Sequence, residues 1–449
     1  MTALVVVPTA QPLSGEVVAP GDKSVGHRAL LFSLLSSTPV RIRGLGAGAD
    51  NGRTARAIAM LGATTARAGA DLIVTGRGRA DLCAPEAPID CGNSGTTIRL
   101  LTGLLAGQRF ASELFGDASL SRRPMARVIE PLRAMGAEIH GQAGATDVTP
   151  PLTIAPRTGP LVARHHRLAI ASAQVKTALL LAGLYADGAT RIHEPSRSRD
   201  HSEHLLAAMG APLGHDGDEV VLDTRGWDGR LAIDDLEVPG DPSSAAFLIA
   251  AALVAGVGPA GVVCRDLGVN PTRTGFLDVL AAMGAAIELT DRRDAYAGEP
   301  IATARITGPA PALAATRIDG ALTVRAIDEV PILAAVAALA EGDTVIADAD
   351  ELRVKESDRI ATTVAMLGAF GVAAEARADG LVVHGRGRRT LAAGHVDSAG
   401  DHRIAMAAAV LALIADGPSQ IDDADNVATS YPGFVEALRG LGAEVRVLP

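Results

Sequence analysis

Aromatic residues are scarce: one Trp, three Tyr and seven Phe make up 2% of 449 residues, so the interior must be packed from Ala, Leu, Val and Ile. Cysteine is scarce as well. Cys83, Cys91 and Cys264 stand far apart without a CxxC pair, which excludes a disulfide framework and a thiolate zinc site and fits a reducing cytoplasm. Basic charge is not in excess. A formal net charge of −10 excludes a sequence-independent nucleic-acid binder, which needs cations to displace counterions from phosphates, so any anionic ligand must be met by local arginines and lysines. The opening "MTALVVVPTAQPLSG" lacks a basic n-region, and its apolar run stops at Pro8, so it reads as a strand and not as a signal peptide. One uncharged run, Ala245 to Cys264, is long enough to span a bilayer. Gly256, Gly258, Pro259 and Gly261 divide it into a helix, a turn and a strand, so no membrane partner is expected.

What is present is globular: 48% hydrophobic and 20% charged residues, in a chain long enough for two domains with a core each. One phrase recurs six times: "IAMLGATT", "LRAMGAEI", "LAAMGAPL", "LAAMGAAI", "VAMLGAFG" and "LRGLGAEV". Its glycines, Gly62, Gly136, Gly210, Gly284, Gly368 and Gly442, are spaced by 74, 74, 74, 84 and 74 residues, so the fifth unit carries an insertion. Each copy reads as an amphipathic helix stopped by a glycine in left-handed conformation and followed by a strand such as "AEIHGQ" or "AEVRVL". A second helix precedes it in every unit, as in "TIRLLTGLLAG", "SSAAFLIAAALVAG" and "RIAMAAAVLALIADG". These helices are apolar nearly all round, which predicts burial inside a domain. Six units of two helices and several strands divide naturally into three per domain, with the break near residues 236 to 240.

The segments leading into the apolar helices are "GDKSVGHR", "GNSGTTIR", "ASAQVK", "GDPSSAA", "IDEVPI" and "GDHRIAM". Helix N-termini present unpaired N–H groups and a partial positive charge, so several converging on one place make an anion site. Their polar residues differ: Lys23, Ser24 and Arg28 in the first, Asn93 and Arg99 in the second, Ser172 and Gln174 in the third, Asp328 in the fifth and Arg403 in the sixth. A repeat scaffold that only binds partners predicts interchangeable helix starts; an asymmetric site predicts differences of this kind. Taken singly, the motifs have plainer readings. "GDKS" and "GNSGT" are ordinary capping sequences that lack the P-loop spacing, "LRVKESDRI" is a charged turn, and "RDHSEH" offers Asp200, His201 and His204 to a metal with no second ligand cluster in support.

Together, "PGDKSVGHR", "GNSGTTIR", "SRRP", "SAQVK", "EPSRSRDHSE", "IDEVPI", "LRVKESDRI" and "GDHRIAM", in this order from Pro20 to Pro432, resemble the enolpyruvyl transferase family, in particular the 5-enolpyruvylshikimate-3-phosphate synthases. The resemblance implies an α/β fold of two inside-out barrel domains, six βαβαββ units with three per domain, helices inside and the active site in the cleft between domains. The first domain would be residues 21–237 and the second residues 1–20 plus 238–449. It implies transfer of the enolpyruvyl group of phosphoenolpyruvate to the 5-hydroxyl of shikimate 3-phosphate, as part of chorismate and aromatic amino acid biosynthesis, by a cytoplasmic monomer without metal, nucleotide or covalent cofactor.

Carried over by motif, Lys23, Ser24, Arg28, Ser172, Ala173, Gln174, Arg199, Asp328 and Lys355 would meet shikimate 3-phosphate, Ala173 through its backbone alone. Lys23, Gly95, Arg123, Gln174, Arg359 and Arg403 would meet phosphoenolpyruvate, and Lys355 would stand near the reacting centre. Asp328 would serve as base and Glu356 as proton donor, with Lys23 and Lys355 stabilising charge. Thr429 stands where the best-known branch has a lysine. "GDKS", "SAQVK", "RDHSE" and "NPTR" resemble the second class, which includes glyphosate-tolerant enzymes, although Gly95 lacks the alanine that is one route to tolerance. The sister transferase acting on UDP-N-acetylglucosamine carries a reactive cysteine where alignment on Arg123-Pro124 places Ala118 here.

Overall fold

A computed structural model describes residues 2–144, 147–295, 297–308 and 311–448. Contacts divide the chain into two compact units. The first comprises residues 21–238 and 294–299; the second comprises 1–20, 239–293 and 300–449. Val238 groups with the first because its N–H donates to the Arg43 carbonyl at 2.9 Å, extending the parallel pairing of Asp235–Glu237 with Val40–Arg43.

Among the described residues, six sheets repeat one strand order, a parallel pair whose second strand pairs antiparallel with a third, with a fourth beyond it. In one of them Ile89–Asp90 runs parallel to Ser112–Phe115, which pairs antiparallel with Val148–Ile154, which in turn pairs with Ile139–Ala143. The helix Gly95–Ala106 joins the parallel strands, and Ala126–Ala134 leads to the hairpin. Three sheets draw a strand from far along the chain. Asp235–Glu237 completes the sheet of Val40–Arg43, Leu13–Val18 runs parallel to Val257–Gly268, and Ala3–Val7 lies between Ser419–Asp422 and Glu444–Leu448.

The helices fall into two classes, as their patterning requires. Lys23–Leu35, Gly95–Ala106 and Ala173–Gly183 fill the first unit, and Pro242–Ala255, Val330–Ala337 and His402–Ala412 fill the second. Every residue from Pro242 to Val254 is buried. Gly103 shows how closely such helices approach: a Cβ there would lie 2.2 Å from the Ala178 carbonyl oxygen. The outer helices, such as Ala49–Met60 and Ala126–Ala134, bury one stripe only.

All six outer helices end in the same Schellman motif. At Gly62, for instance, the glycine N–H donates to the Ala59 carbonyl and the next N–H, of Ala63, to Ile58. Gly62, Gly136, Gly210, Gly284 and Gly442 have φ between 88° and 103°. The fifth unit departs from the sequence expectation: Arg359–Ala369 runs through Gly368, and the terminator is Gly371, with φ 73°. Its N–H bonds to the Gly368 carbonyl and that of Val372 to Leu367, so "AFGV" and not "MLGA" is the stop signal. The uncharged run 245–264 also differs in detail. Gly256 alone turns the chain, and Gly258 to Gly261 fall in an irregularity within Val257–Gly268, where the register with Leu13–Val18 slips between Val257 and Val262. No helix among the described residues is long and apolar enough to cross a membrane.

Candidate active site

In the first unit, Asp22 caps the first inner helix by accepting the Val25 N–H at 2.9 Å, which places Lys23 and Ser24 in its opening turn and Arg28 one turn further in. Lys23 Nζ lies 3.1 Å from Asp50 Oδ2. Arg28 is buried, and its guanidinium donates from Nε to Ser202 Oγ (2.7 Å), from Nη1 to the Ser24 carbonyl (2.9 Å) and from Nη2 to Thr177 Oγ1 (2.8 Å) and the Ala173 carbonyl (3.4 Å). Arg199 Nη1 donates to Ser24 Oγ at 3.4 Å. Ser172 caps the third inner helix, accepting from the Val175 N–H at 3.4 Å, and its own N–H donates to Glu194 Oε1 at 3.0 Å. Lys23, Ser24, Arg28, Ser172, Ala173 and Arg199 thus occupy the starts of two neighbouring helices and the loop beside them.

The second inner helix joins this group through Gln174, whose Oε1 accepts from Arg99 Nη1 at 2.9 Å and whose Nε2 donates to Thr96 Oγ1 at 2.9 Å. Ser94 caps that helix, leaving Gly95 as its first residue. A Cβ at Gly95 would stand 2.8 Å from Arg99 Nη1 and 3.0 Å from Arg123 Nη1, so the glycine lets two guanidinium groups approach the backbone at a helix N-terminus. Arg123 is held by Asn93 Oδ1.

In the second unit, Asp328 sits in the 3₁₀ turn Ile327–Glu329 ahead of Val330–Ala337. Its Oδ1 is 3.5 Å from both Lys355 Nζ and Arg359 Nη1, and its carbonyl accepts from Arg403 Nη1 at 2.9 Å. Glu356 Oε2 is 2.7 Å from Arg359 Nη2, and Asp401 Oδ2 is 2.8 Å from Arg359 Nε. Asp401, fully buried, also caps His402–Ala412 by accepting the Arg403 N–H at 2.9 Å and takes the Ser357 hydroxyl at 3.1 Å. Burial opposes the charge on Arg359, but Asp401, Glu356 and Asp328 more than offset it and push its pKa above the usual value. Asp328, Lys355, Glu356, Arg359 and Arg403 therefore form one charged network.

Several contributors have no role in the sequence reading. Asp401 was visible only as the Asp of "GDHR". At the fourth helix start, Asp241 caps Pro242–Ala255 and accepts from Arg273 Nη2 at 3.0 Å. The same Nη2 reaches Ser243 Oγ at 2.9 Å, and Glu329 receives the Ser243 hydroxyl. The signal for these was the capping Asp ahead of an apolar run. Lys176, Glu194 and Glu203 stand in the motifs "SAQVK" and "EPSRSRDHSE", but no role followed for them from the sequence, because their pairing is long-range. His201, by contrast, gives Nδ1 to Glu299 Oε1 at 2.8 Å, and among the described residues no group of His, Cys, Asp and Glu is placed to hold a metal ion. Thr429 donates its hydroxyl to the Asn426 carbonyl at 2.6 Å, within its own turn.

Known proteins share this sequence and fold. The family model for EPSP synthase (3-phosphoshikimate 1-carboxyvinyltransferase) matches residues 7–438. A 3-phosphoshikimate 1-carboxyvinyltransferase of Geobacter sulfurreducens is 47% identical over 430 residues, covering 96% of this chain and 97% of that protein. One from an Anaeromyxobacter species is 49% identical over 432 residues, covering 96% of each. The solved EPSP synthase of Acinetobacter baumannii superimposes with a TM-score of 0.87 at 37% identity, with 100% of each chain covered. With a family match along residues 7–438 and relatives nearly half identical over almost its whole length, the chain belongs to the EPSP synthase (3-phosphoshikimate 1-carboxyvinyltransferase) family.

Proposed function

We infer that this chain is a transferase that moves the enolpyruvyl group of phosphoenolpyruvate to the 5-hydroxyl of shikimate 3-phosphate, releasing phosphate, in aromatic amino acid biosynthesis. The observation that carries the reading is the gathering of Lys23, Arg28, Arg99, Arg123 and Arg199 around capped helix N-termini in a chain of net charge −10. Both substrates are phosphorylated carboxylates, and such a crowd of cations is what they need.

We propose that Lys23, Ser24, Arg28, Ser172, Ala173, Gln174 and Arg199 hold shikimate 3-phosphate, with Asp328 and Lys355 contributing. Lys23, Gly95, Arg123, Gln174, Arg359 and Arg403 would hold phosphoenolpyruvate. We further propose that each of the two compact units is an inside-out barrel of three βαβαββ repeats, and that the enzyme works as a cytoplasmic monomer. In the addition step, Asp328 takes the 5-hydroxyl proton as that oxygen bonds to C2 of phosphoenolpyruvate, while Glu356 gives a proton to the methylene carbon. In the elimination step, the methyl carbon returns a proton, the C2–C3 double bond reforms and the C2–O bond to phosphate breaks, with Lys23, Lys355 and the arginines stabilising the departing charge. Glu356 is bound to Arg359 at 2.7 Å. A substrate carboxylate arriving at Arg359 would compete for that cation and free Glu356 to carry a proton. The residues supply acid, base and cations from side chains, so no metal or organic cofactor enters the scheme.

Phosphate release from phosphoenolpyruvate tests the reading. Release is expected with shikimate 3-phosphate as co-substrate and not with UDP-N-acetylglucosamine; the reverse result overturns it.

A further inference from the structure

Lys176 lies near the start of Ala173–Gly183 with its side chain only 1% exposed. Its Nζ is 2.7 Å from Glu194 Oε2 and 2.8 Å from Glu203 Oε1, both carboxylates being buried too, and it also reaches the Ser198 carbonyl at 3.4 Å. Burial alone would depress the ammonium, but Glu203 and Glu194 more than offset it and raise its pKa. A buried ion triad adds little stability over apolar residues of similar volume, so stability alone gives no physical reason for its presence.

The hydrogen bonds give one. Glu194 spends its two oxygens on separate segments: Oε1 accepts the Ser172 N–H at 3.0 Å, and Oε2 accepts the Ser198 N–H at 3.4 Å, next to Arg199. Lys176 fixes the orientation of that carboxylate. Its chain neighbour Thr177 accepts from Arg28 Nη2, and the chain neighbour of Glu203, Ser202, accepts from Arg28 Nε; the Thr177 and Ser202 hydroxyls are 2.6 Å apart. One buried network therefore ties together the segments of Arg28, Ser172 and Arg199. Counted with Arg28, it holds two cations and two carboxylates and is neutral, yet all four hydrogen bonds of Arg28 go to uncharged oxygens.

We propose that Lys176, Glu194 and Glu203 are positioning residues for shikimate 3-phosphate, setting Ser172, Arg199 and Arg28 in the geometry that receives its phosphate group. The proposal rests on the reading that the first unit holds shikimate 3-phosphate. Titration calorimetry with the full chain and shikimate 3-phosphate, followed by steady-state kinetics, tests it in wild type, Lys176→Met, Lys176→Arg and Glu194→Gln. Loss of a charged hydrogen-bond anchor should weaken shikimate 3-phosphate binding about tenfold or more in Lys176→Met. Its KM for that substrate should rise, and KM for phosphoenolpyruvate at saturating co-substrate should rise several-fold less, because only Lys23 and Gln174 of its proposed ligands share the helices of this network, whereas Gly95, Arg123, Arg359 and Arg403 lie outside them. Lys176→Arg should restore most of the affinity. Glu194→Gln, which keeps volume, decides the matter should Lys176→Met fail to fold. Folded variants with wild-type affinity, or KM values rising by the same factor for both substrates, would overturn the proposal. Failure of the wild type to bind shikimate 3-phosphate would instead remove the functional reading beneath it.

Discussion

Arg28 in the first unit and Arg359 in the second are equally buried, each 2% exposed, and their surroundings act on them in opposite directions. Burial lowers the Arg28 pKa to about 10, and Glu203 offsets only part of that. Arg359 feels the same desolvation, but Asp401, Glu356 and Asp328 outweigh it. Arg28 has carboxylates near it but none among its hydrogen-bond partners, a place an incoming phosphate would take. Arg359 already has a surplus of carboxylates, among them the two groups assigned to proton transfer. The contrast fits the proposal that the first unit receives an anion and that the second holds the proton-transfer groups beside a cation from which a substrate can displace them.

The largest expected effect tests the second half of that comparison. Glu356→Gln and Asp328→Ala should each lower kcat by about 10²–10⁴-fold, the usual worth of a positioned acid or base, with the circular dichroism spectrum unchanged. Wild-type turnover in either variant would remove its assigned role. Next come the two arginines themselves. Arg359→Met strands buried Asp401 and should cost about 3–5 kcal/mol in urea unfolding. Arg28→Met strands only hydroxyls and carbonyls and should cost about 1–3 kcal/mol while abolishing shikimate 3-phosphate binding. Equal losses would break the comparison. Buried Cys91 in the first unit and buried Cys264 in the second report which unit opens, whereas exposed Cys83 reacts with a thiol reagent throughout.

The smallest effect is on pH dependence. Burial pushes the Asp401 carboxyl up, but Arg359 more than offsets this and holds it below its usual 3.8. A folded-state pKa below the unfolded one contributes stability that is present above pH 3.8 and is lost as pH falls through the folded value. The stability difference between wild type and Asp401→Asn should therefore shrink as urea titrations move below pH 3.8, and a difference independent of pH would contradict the pairing.

Much of this was legible in the chain itself. The apolar helices were marked by composition, and five of six outer-helix stops by a glycine one residue beyond Leu or Met. The fifth misled because "MLG" occurs inside Arg359–Ala369, two residues before the Phe370 and Gly371 that end it. Lys23, Arg28, Asp328 and Glu356 could be singled out because they sit at helix starts or in a dense charged turn. Asp50, Lys176 and Glu194 could not, since each matters through a partner 18 to 27 residues away.

The sequence alone determined the repeated helix-and-strand unit, the burial of one helix in each, and which helix starts carry polar groups, because periodicity and glycine stops are local properties. Only the tertiary structure decided that Leu13–Val18 pairs with Val257–Gly268, that Asp401 neutralises Arg359, and that Arg28 is left with uncharged partners. Strand pairing and buried charge compensation depend on which distant residues desolvate one another, and that is fixed only when the chain has closed around its core.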